Sequence, residues 1–408
     1  IAVGKATPVV TWATPSPITY GTALGASELA AEANVAGTFT YSPAAGTVLS
    51  AGTHQLTATF SPADASNYTA VTASVDIAVG KAVPVITWAS PAGITYGTAL
   101  SGTQLNAATN VNGSFVYSPA AGTVLSAGTQ TLSVTFTPDD AANYNTATAN
   151  VSIAVAKASP VITWAEPAGI TYGAALSGTQ LNATANVSGS FAYSPAAGTV
   201  LGAGAHSLSV TFTPADAANY TSASAGTSIE VAPAPLTVQA DNSNKVYGEA
   251  LPAFAATGSG FVNGDSMSSL SGTLTFTTSA IATSAPGSYG VTPGGVSSPN
   301  YAITFADGTL TVSRAATALT LTTTPNPSQN NQAVQLRAVV SAVAPGAGTA
   351  TGTVQFYENG TLLGSATLVN GVATMNKNFK KGSHSLTATY GGNANFTGST
   401  GAVMHDVP

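Results

Sequence analysis

Residues 41–68 read YSPAAGTVLSAGTHQLTATFSPADASNY. Nearly the same letters return at 117–144 (YSPAAGTVLSAGTQTLSVTFTPDDAANY) and at 193–220 (YSPAAGTVLGAGAHSLSVTFTPADAANY), 76 residues apart at each step. Inside this stretch Leu132, Val134 and Phe136 alternate with Ser133 and Thr135, the period of a half-buried strand. SPAAGT before it and the Pro/Asp/Asn cluster after it supply turn chemistry. A second alternating run, Val151, Ile153 and Val155, closes the unit. No segment carries a helical period. The reading is all-β, with about six or seven short strands in each repeated unit.

The period extends outward from this stretch. Trp12, Trp88 and Trp164 mark it, as do Tyr20, Tyr96 and Tyr172, and Tyr68, Tyr144 and Tyr220, with no insertion or deletion. A period this long signals a small domain repeated as an array. Three repeats are expected at 7–82, 83–158 and 159–234. Residues 1–6 (IAVGKA) equal residues 77–82, the closing strand of a repeat. They mark either excision from a longer array or a candidate donor strand led by Ile1, Ala2 and Val3. Two divergent modules follow, at 235–314 and 315–408. Tyr301 and Phe396 stand 11 residues before Val312 and Val407, as Tyr68 stands before Val79, and each aromatic follows an Asn. The fold class expected is a linear array of five small antiparallel immunoglobulin-like β-sandwiches. The junctions, such as KAVP (81–84) and KASP (157–160), leave little slack, and Pro restricts φ there. An elongated, stiff rod of roughly 150–200 Å is expected from strand rise.

Composition excludes several classes. Charged residues are 6 % of the 408, against about 25 % in an ordinary soluble protein. The net charge of −6 is weak, and no basic patch offers itself to nucleic acid. No run approaches the ~18 consecutive apolar residues of a membrane span. Cysteine is absent, which removes disulfides, thiol nucleophiles and thiolate metal sites. Disorder is rejected because regularly spaced aromatics and β-branched runs fill the chain. The chain begins at Ile1 without Met, as expected of a mature or excised product.

The motifs resemble known families. The first three modules, with loops FSPADASNY, FTPDDAANY and FTPADAANY, resemble bacterial immunoglobulin-like repeats of large surface proteins. KVYG (245–248), GFVNGD (260–265), GSYGVTP (287–293) and NYAITFADGTLTV (300–312) look like the MBG domain of bacterial secreted and surface proteins. TGTVQFYENGTLLGSATLVNGVAT (351–374) looks like the immunoglobulin-like repeat of bacterial adhesins. The resemblance implies export, a stalk or adhesive role and no catalysis. The Asp-Ala-Ala-Asn-Tyr run ending at Tyr144 and Tyr220 is also similar to the tyrosine corner of immunoglobulin domains. Only about one strand follows the Tyr here, so a different strand order is expected.

Candidate chemistry is sparse. Asp64, Asp140 and Asp216 recur at one loop, with Asp139 added in repeat 2. They read either as Asx-turn caps or as weak calcium ligands. His54, His206 and His384 hold equivalent positions just before a strand, with Gln130 in repeat 2, and His405 has no visible partner. Glu28 and Glu32 occur as a pair in repeat 1 only, so paired-carboxylate hydrolysis is not expected. Trp12, Trp88 and Trp164 are read as core or junction packing, with a carbohydrate-stacking row as the alternative. Lys5, Lys81, Lys157 and Arg314 each fall two residues after a closing Val, at the junctions. They are read as solvated or salt-bridged, with an isopeptide crosslink as the alternative.

The function expected is a non-enzymatic extracellular structural protein, the rod of a bacterial surface fibre or adhesin, with no cofactor and no metal. Low surface charge admits self-assembly into filaments with other copies of the chain or other surface components. A glycan- or surface-binding role for the last two modules is the alternative.

Overall fold

A computed structural model describes residues 1–408. It is β throughout apart from one 3-10 turn at Met267–Ser269. The chain forms two compact units. One contains Ile1–Thr163, Ala183–Ala192 and Val210–Ala225; the other contains Trp164–Asn182, Tyr193–Ser209 and Gly226–Pro408.

In the first unit, repeat 1 builds a four-stranded sheet in the spatial order Ile18–Thr19, Val71–Gly80, Gly52–Pro62, Gly37–Ser42. A two-stranded ribbon of Val10–Thr11 with Glu32–Ala33 faces it across the core. The alternation read in the sequence sets the burial. Leu56, Ala58 and Phe60 point inward at 0–1 % exposure, whereas Gln55 and Thr59 face solvent. Leu56 and Ile77 close the core with Leu24, Leu29, Leu49 and Val79, flanked by Trp12 and Tyr41. Each such side chain contributes about 1.5–3 kcal/mol by leaving water. Repeat 2 reproduces this arrangement. Phe115 pairs with Phe136, and Leu132 with Val151. Leu100, Leu105, Leu125, Leu132, Ile153 and Val155 form its core.

One feature departs from an antiparallel sandwich. The edge strand Ile18–Thr19 runs parallel to the closing strand, Ile18 opposite Val79, and Ile94 lies likewise opposite Val155. Parallel neighbours need a long crossover, and the body of each repeat supplies it. Because the edge strand runs the same way as the closing strand, the turn that follows it lies at the end where the chain leaves for the next module.

In the second unit, repeat 3 keeps the parallel pair, Ile170 opposite Val231. The fourth module has a sheet ordered Ala256–Ser259, Ala234–Ala240, Tyr301–Ala306 and another ordered Ser243–Val246, Gly308–Ser313, Gly287–Ser297, Ser271–Thr278. It contains two parallel pairs, Leu236 opposite Ile303 and Lys245 opposite Val312. The strands of the fifth module pair antiparallel in three- and four-stranded sheets around Leu336, Val354, Phe356, Leu386 and Tyr390, and one parallel bridge joins Ala315 to Phe396. Asn359-Gly360 joins two of its strands with positive φ at both residues (44° and 81°), as a type I′ hairpin requires.

Gly113 opens the edge strand of repeat 2 opposite Pro138, beneath the ring of Phe136. A Cβ there would fall inside contact distance of that ring and of the Thr137 carbonyl oxygen. Gly113→Val is expected to destabilise repeat 2 by about 1–3 kcal/mol through overpacking. Urea unfolding followed by the fluorescence of Trp88, in a background where Trp12 and Trp164 are Phe, measures it.

Candidate functional site

The recurring chemistry of the chain lies where one module meets the next. The parallel edge strand of each repeat ends in a Tyr–Gly turn. Thr22 N–H bonds the Thr19 carbonyl, and Gly21 stands third in the turn at φ 93°. Gly97, Gly173 and Gly248 repeat this at φ 94°, 94° and 82°. Positive φ at that position is the type II requirement, which is why Gly follows Tyr each time. The turn places Tyr20, Tyr96, Tyr172 and Tyr247 at the exit end of their modules.

The opposite face is built by the Asp loop. In repeat 2, Asp140 accepts hydrogen bonds from the Asn143 backbone N–H (3.2 Å) and from Asn143 Nδ2 (2.9 Å). That fixes the carboxamide so that its Oδ1 accepts the backbone N–H of Ala51, a residue of repeat 1, at 2.7 Å. Asp216 holds Asn219 in the same way, and Asn219 Oδ1 accepts from Ala127 at 2.8 Å. Asn300 Oδ1 accepts from Ala203 at 2.9 Å, without an Asp. The aromatic after the Asn receives the turn of the preceding module edge-on. Ring centroids are 5.3 Å apart for Tyr20–Tyr144 and Tyr96–Tyr220, 5.4 Å for Tyr172–Tyr301 and 5.3 Å for Tyr247–Phe396.

The linker is tied to the same loop. Ala82 N–H bonds the Asn143 carbonyl, and the Ala82 carbonyl accepts from Asn145. Ala6, Ala158 and Ala315 make the equivalent pair of bonds. Lys5, Lys81 and Lys157 reach back to the carbonyls of Ala65, Ala141 and Ala217 at 2.6–2.7 Å. Each ammonium therefore caps the Asp loop, and its partner is a backbone carbonyl. Arg314 is exposed at the last junction.

The third junction is more deeply buried. Tyr172 and Tyr301 both donate to Asp265 Oδ2, at 2.9 and 2.8 Å. These two hydroxyls hold the Asp265 carboxyl below the usual range, while burial and then Asp265 raise the Tyr301 hydroxyl. Tyr172, Leu176, Leu236, Val238 and Tyr301 belong to one continuous core.

The remaining candidates have structural partners. Trp12 Nε1 donates to the Glu28 carbonyl at 3.1 Å and its ring meets Tyr41 at 5.4 Å; Trp88 and Trp164 repeat both contacts. Glu28 caps its own turn by accepting from Gly25 N–H, a role that Gln104 and Gln180 fill at Ser101 and Ser177. The Glu28 side chain does not serve a pair. Asp64 accepts from the Ser66 and Asn67 backbone and from Asn67 Nδ2. Asp139 lines an open cavity of about 360 Å³ with Asn110, Asn112, Asp140 and Tyr144. No group of three or more acidic or His side chains converges with the geometry to hold a metal ion. Ile1, Ala2 and Val3 are exposed and outside any strand.

The histidines lie inside strands, not before them. His54 and His206 Nε2 bond the carbonyls four residues back, those of Ser50 and Gly202, and Gln130 Nε2 does the same to Ser126. An N–H donor is what the position needs, so His and Gln interchange. His384 adds Glu358 on Nδ1, beside Lys380 O on Nε2. Burial opposes its charge, but the Lys380 carbonyl and Glu358 together raise its pKa. His405 does have a partner: it is fully buried, with Nε2 2.9 Å from Ser328 Oγ and Nδ1 unbonded. Burial, then the charge of His384, lower its pKa. Ser328 lies 77 residues away in sequence, beyond local inspection. The buried Lys245, whose Nζ donates to Glu249 and Ala282 carbonyls, also went unread; the KVYG string contained it.

Residues 236–311 match the MBG domain (YGX type) family, and residues 321–407 match the bacterial Ig-like domain (group 3) family. No curated protein matches the chain. Among solved structures the chain is similar to Sidekick-1 immunoglobulin domains 1-5, at 13 % identity and TM-score 0.21, covering 98 % of this chain and 99 % of that one. It is similar to the Escherichia coli adhesin FdeC at 13 % identity and TM-score 0.20, covering 91 % and 96 %. It is similar to the Yersinia pseudotuberculosis adhesin InvE at 14 % identity and TM-score 0.22, covering 42 % and 59 %. The last two modules thus match an MBG domain and a bacterial immunoglobulin-like domain over these residues. No catalytic family is among the matches, and no helix is long and apolar enough to cross a membrane.

Two measurements test the local chemistry. Asn143→Ala should speed exchange of the Ala51 amide about fivefold to tenfold, the worth of one hydrogen bond, and leave the Leu132 and Ile153 amides protected. In module five, His384 stabilises by binding a proton in the folded state. Its contribution is complete below the unfolded value of about 6.5 and is lost as pH rises through its higher folded value. His405 is the reverse: its contribution is lost as pH falls below about 6.5. His405→Phe should therefore make the Tm of module five rise monotonically from pH 8 to pH 6, read by calorimetry.

Proposed function

We propose that the chain is a non-enzymatic spacer of a bacterial cell-surface protein or adhesin, whose modules are held in register by the Tyr–Asn junction. Immunoglobulin-like and MBG domains resemble the stalk domains of such proteins. One observation carries the reading: the ring contact recurs at all four junctions, even where the sequences diverge. A chain of independent domains would have no reason to keep it. An edge-on aromatic pair is worth about 0.5–1.5 kcal/mol, and the Asn bond adds a similar amount. A module of this size has only about 4–11 kcal/mol in total, so its neighbour supplies a sizeable share. The spacer is extracellular in this reading, and its sparse charge makes it insensitive to salt. Its partners are the surface components at its two ends.

The absence of cysteine allows a direct test. Spin labels on two introduced cysteines, one on Thr59 of repeat 1 and one on Thr135 of repeat 2, should give a single narrow distance distribution. Tyr20→Ala with Asn143→Ala should broaden it. A broad distribution in the unaltered junction would overturn the spacer reading.

A further inference from the structure

The closing strand of repeat 2, Ala147–Ala156, is paired along one side with Gly128–Pro138. On its other side only Val155 and Ala156 have a neighbour, the short edge strand Ile94–Thr95. Tyr96 N–H bonds the Ala156 carbonyl, so Ala156 turns its backbone groups to that side. By the two-residue period of a strand, Ser152, Asn150 and Thr148 turn theirs the same way, and no strand lies beside them. Side-chain burial changes at the same place. Ile153 and Val155 are 1 % and 5 % exposed where the edge strand flanks them, whereas Ala149 and Val151 on the same inner face are half-buried. An unpaired backbone edge beside a half-covered apolar row fits one kind of occupant, an added extended strand.

Repeats 1 and 3 have the same open edge, but each sets a carboxylate on it. Repeat 1 has Asp76 where repeat 2 has Ser152. In repeat 3 Glu166 accepts a hydrogen bond from Ser228 Oγ at 3.2 Å, and Glu230 stands where repeat 2 has Ala154. The counterpart of Glu166 in repeat 2 is Ser90. Charge on an edge strand discourages pairing, because an added strand must lie against it. The strand of repeat 2 carries neither charge nor Pro. Among three nearly identical repeats, it alone leaves the edge unguarded.

The chain itself contains the matching strand. Set antiparallel to its own copy about Asn150, this strand places Thr148 opposite Ser152 and Asn150 opposite Asn150 of the second copy. Hydroxyls and carboxamides meet on the solvent face, and Ala149 meets Val151 of the second copy on the inner face. Each facing pair of outward residues exchanges two backbone hydrogen bonds. We propose that the open edge from Thr148 to Ser152 is a lateral contact at which two copies of this chain pair antiparallel into one continuous sheet. A contact this short lies below the roughly 1,200 Å² of a stable interface, so it forms where copies are concentrated. It uses none of the Tyr–Gly turns and stands apart from the spacer reading.

Native-state hydrogen exchange of the full chain over a range of concentrations tests it. The Asn150 and Ser152 amides are expected to slow by about fivefold at high concentration, the worth of one hydrogen bond, while the equivalent Ser74, Asp76, Gly226 and Ser228 amides stay fast. Asp76→Ser should make the Ser74 amide concentration-dependent as well. The chain has no cysteine, so Asn150→Cys reads the register. Facing Cα atoms in such a pair are about 5.5 Å apart, within disulfide range, and mild oxidation should give a covalent dimer roughly tenfold faster than for Ser74→Cys. Asn150 exchange that ignores concentration would overturn the proposal. So would slowing at Phe115 and Tyr117, on the other edge of the sheet, in place of Asn150, or equal crosslinking at the two cysteine positions. A Ser74 amide unmoved by Asp76→Ser would overturn the part given to charge in selecting repeat 2.

Discussion

The structure depends on one contact: a tyrosine at the tip of a tight turn, set edge-on against an aromatic ring of the next module. The contact needs three things at once. A glycine must follow the tyrosine, because the turn needs positive φ. The edge strand before the turn must run parallel to the closing strand, so that the tip lies at the exit end. The receiving ring must be anchored, and the residue before it is paired with the linker at every junction. These conditions explain why a chain with so little charge still specifies how its modules meet. Ring edges and carboxamide bonds lose little to screening, whereas exposed ion pairs contribute little even unscreened.

The junction also explains why modules of about 76 residues are viable. A domain this small buries a modest fraction of its surface. Nearest-neighbour contacts raise the stability of an array above the sum of its parts. The second unit takes this furthest, where Tyr172 and Tyr301 share the Asp265 carboxylate inside a core that continues from repeat 3 into the fourth module. Where Phe396 replaces Tyr the ring contact persists without a hydroxyl. The ring edge is therefore the common requirement, and the hydroxyl chemistry is local to the third junction.

Much of the fold was legible in the sequence. Leu132, Val134 and Phe136 announced their strand by alternation, and the 76-residue period announced that repeat 2 repeats the strand pairing of repeat 1. The parallel edge pair was not legible, because Ile18–Thr19 is two residues long and carries no alternation of its own. The junction was half legible. Tyr20, Tyr96 and Tyr172, and Tyr68, Tyr144 and Tyr220, were visible as markers of the repeat, but nothing local says that Tyr20 of one copy meets Tyr144 of the next. The Tyr–Gly pair was the available signal, since a glycine repeated behind an aromatic marks a turn that displays the ring. The Asp loop was read as a cap or a calcium site; in the structure it orients Asn143 toward Ala51.

Neighbouring modules are held together energetically by the ring pair, and a double-mutant cycle on Tyr20→Ala and Tyr144→Ala tests this most directly. The readout is native-state hydrogen exchange of the core amides of repeats 1 and 2 in the full chain. A coupling of about 0.5–1.5 kcal/mol between the two substitutions is predicted. Effects that add to within about 0.3 kcal/mol would contradict it, and would mean that the modules touch without depending on each other.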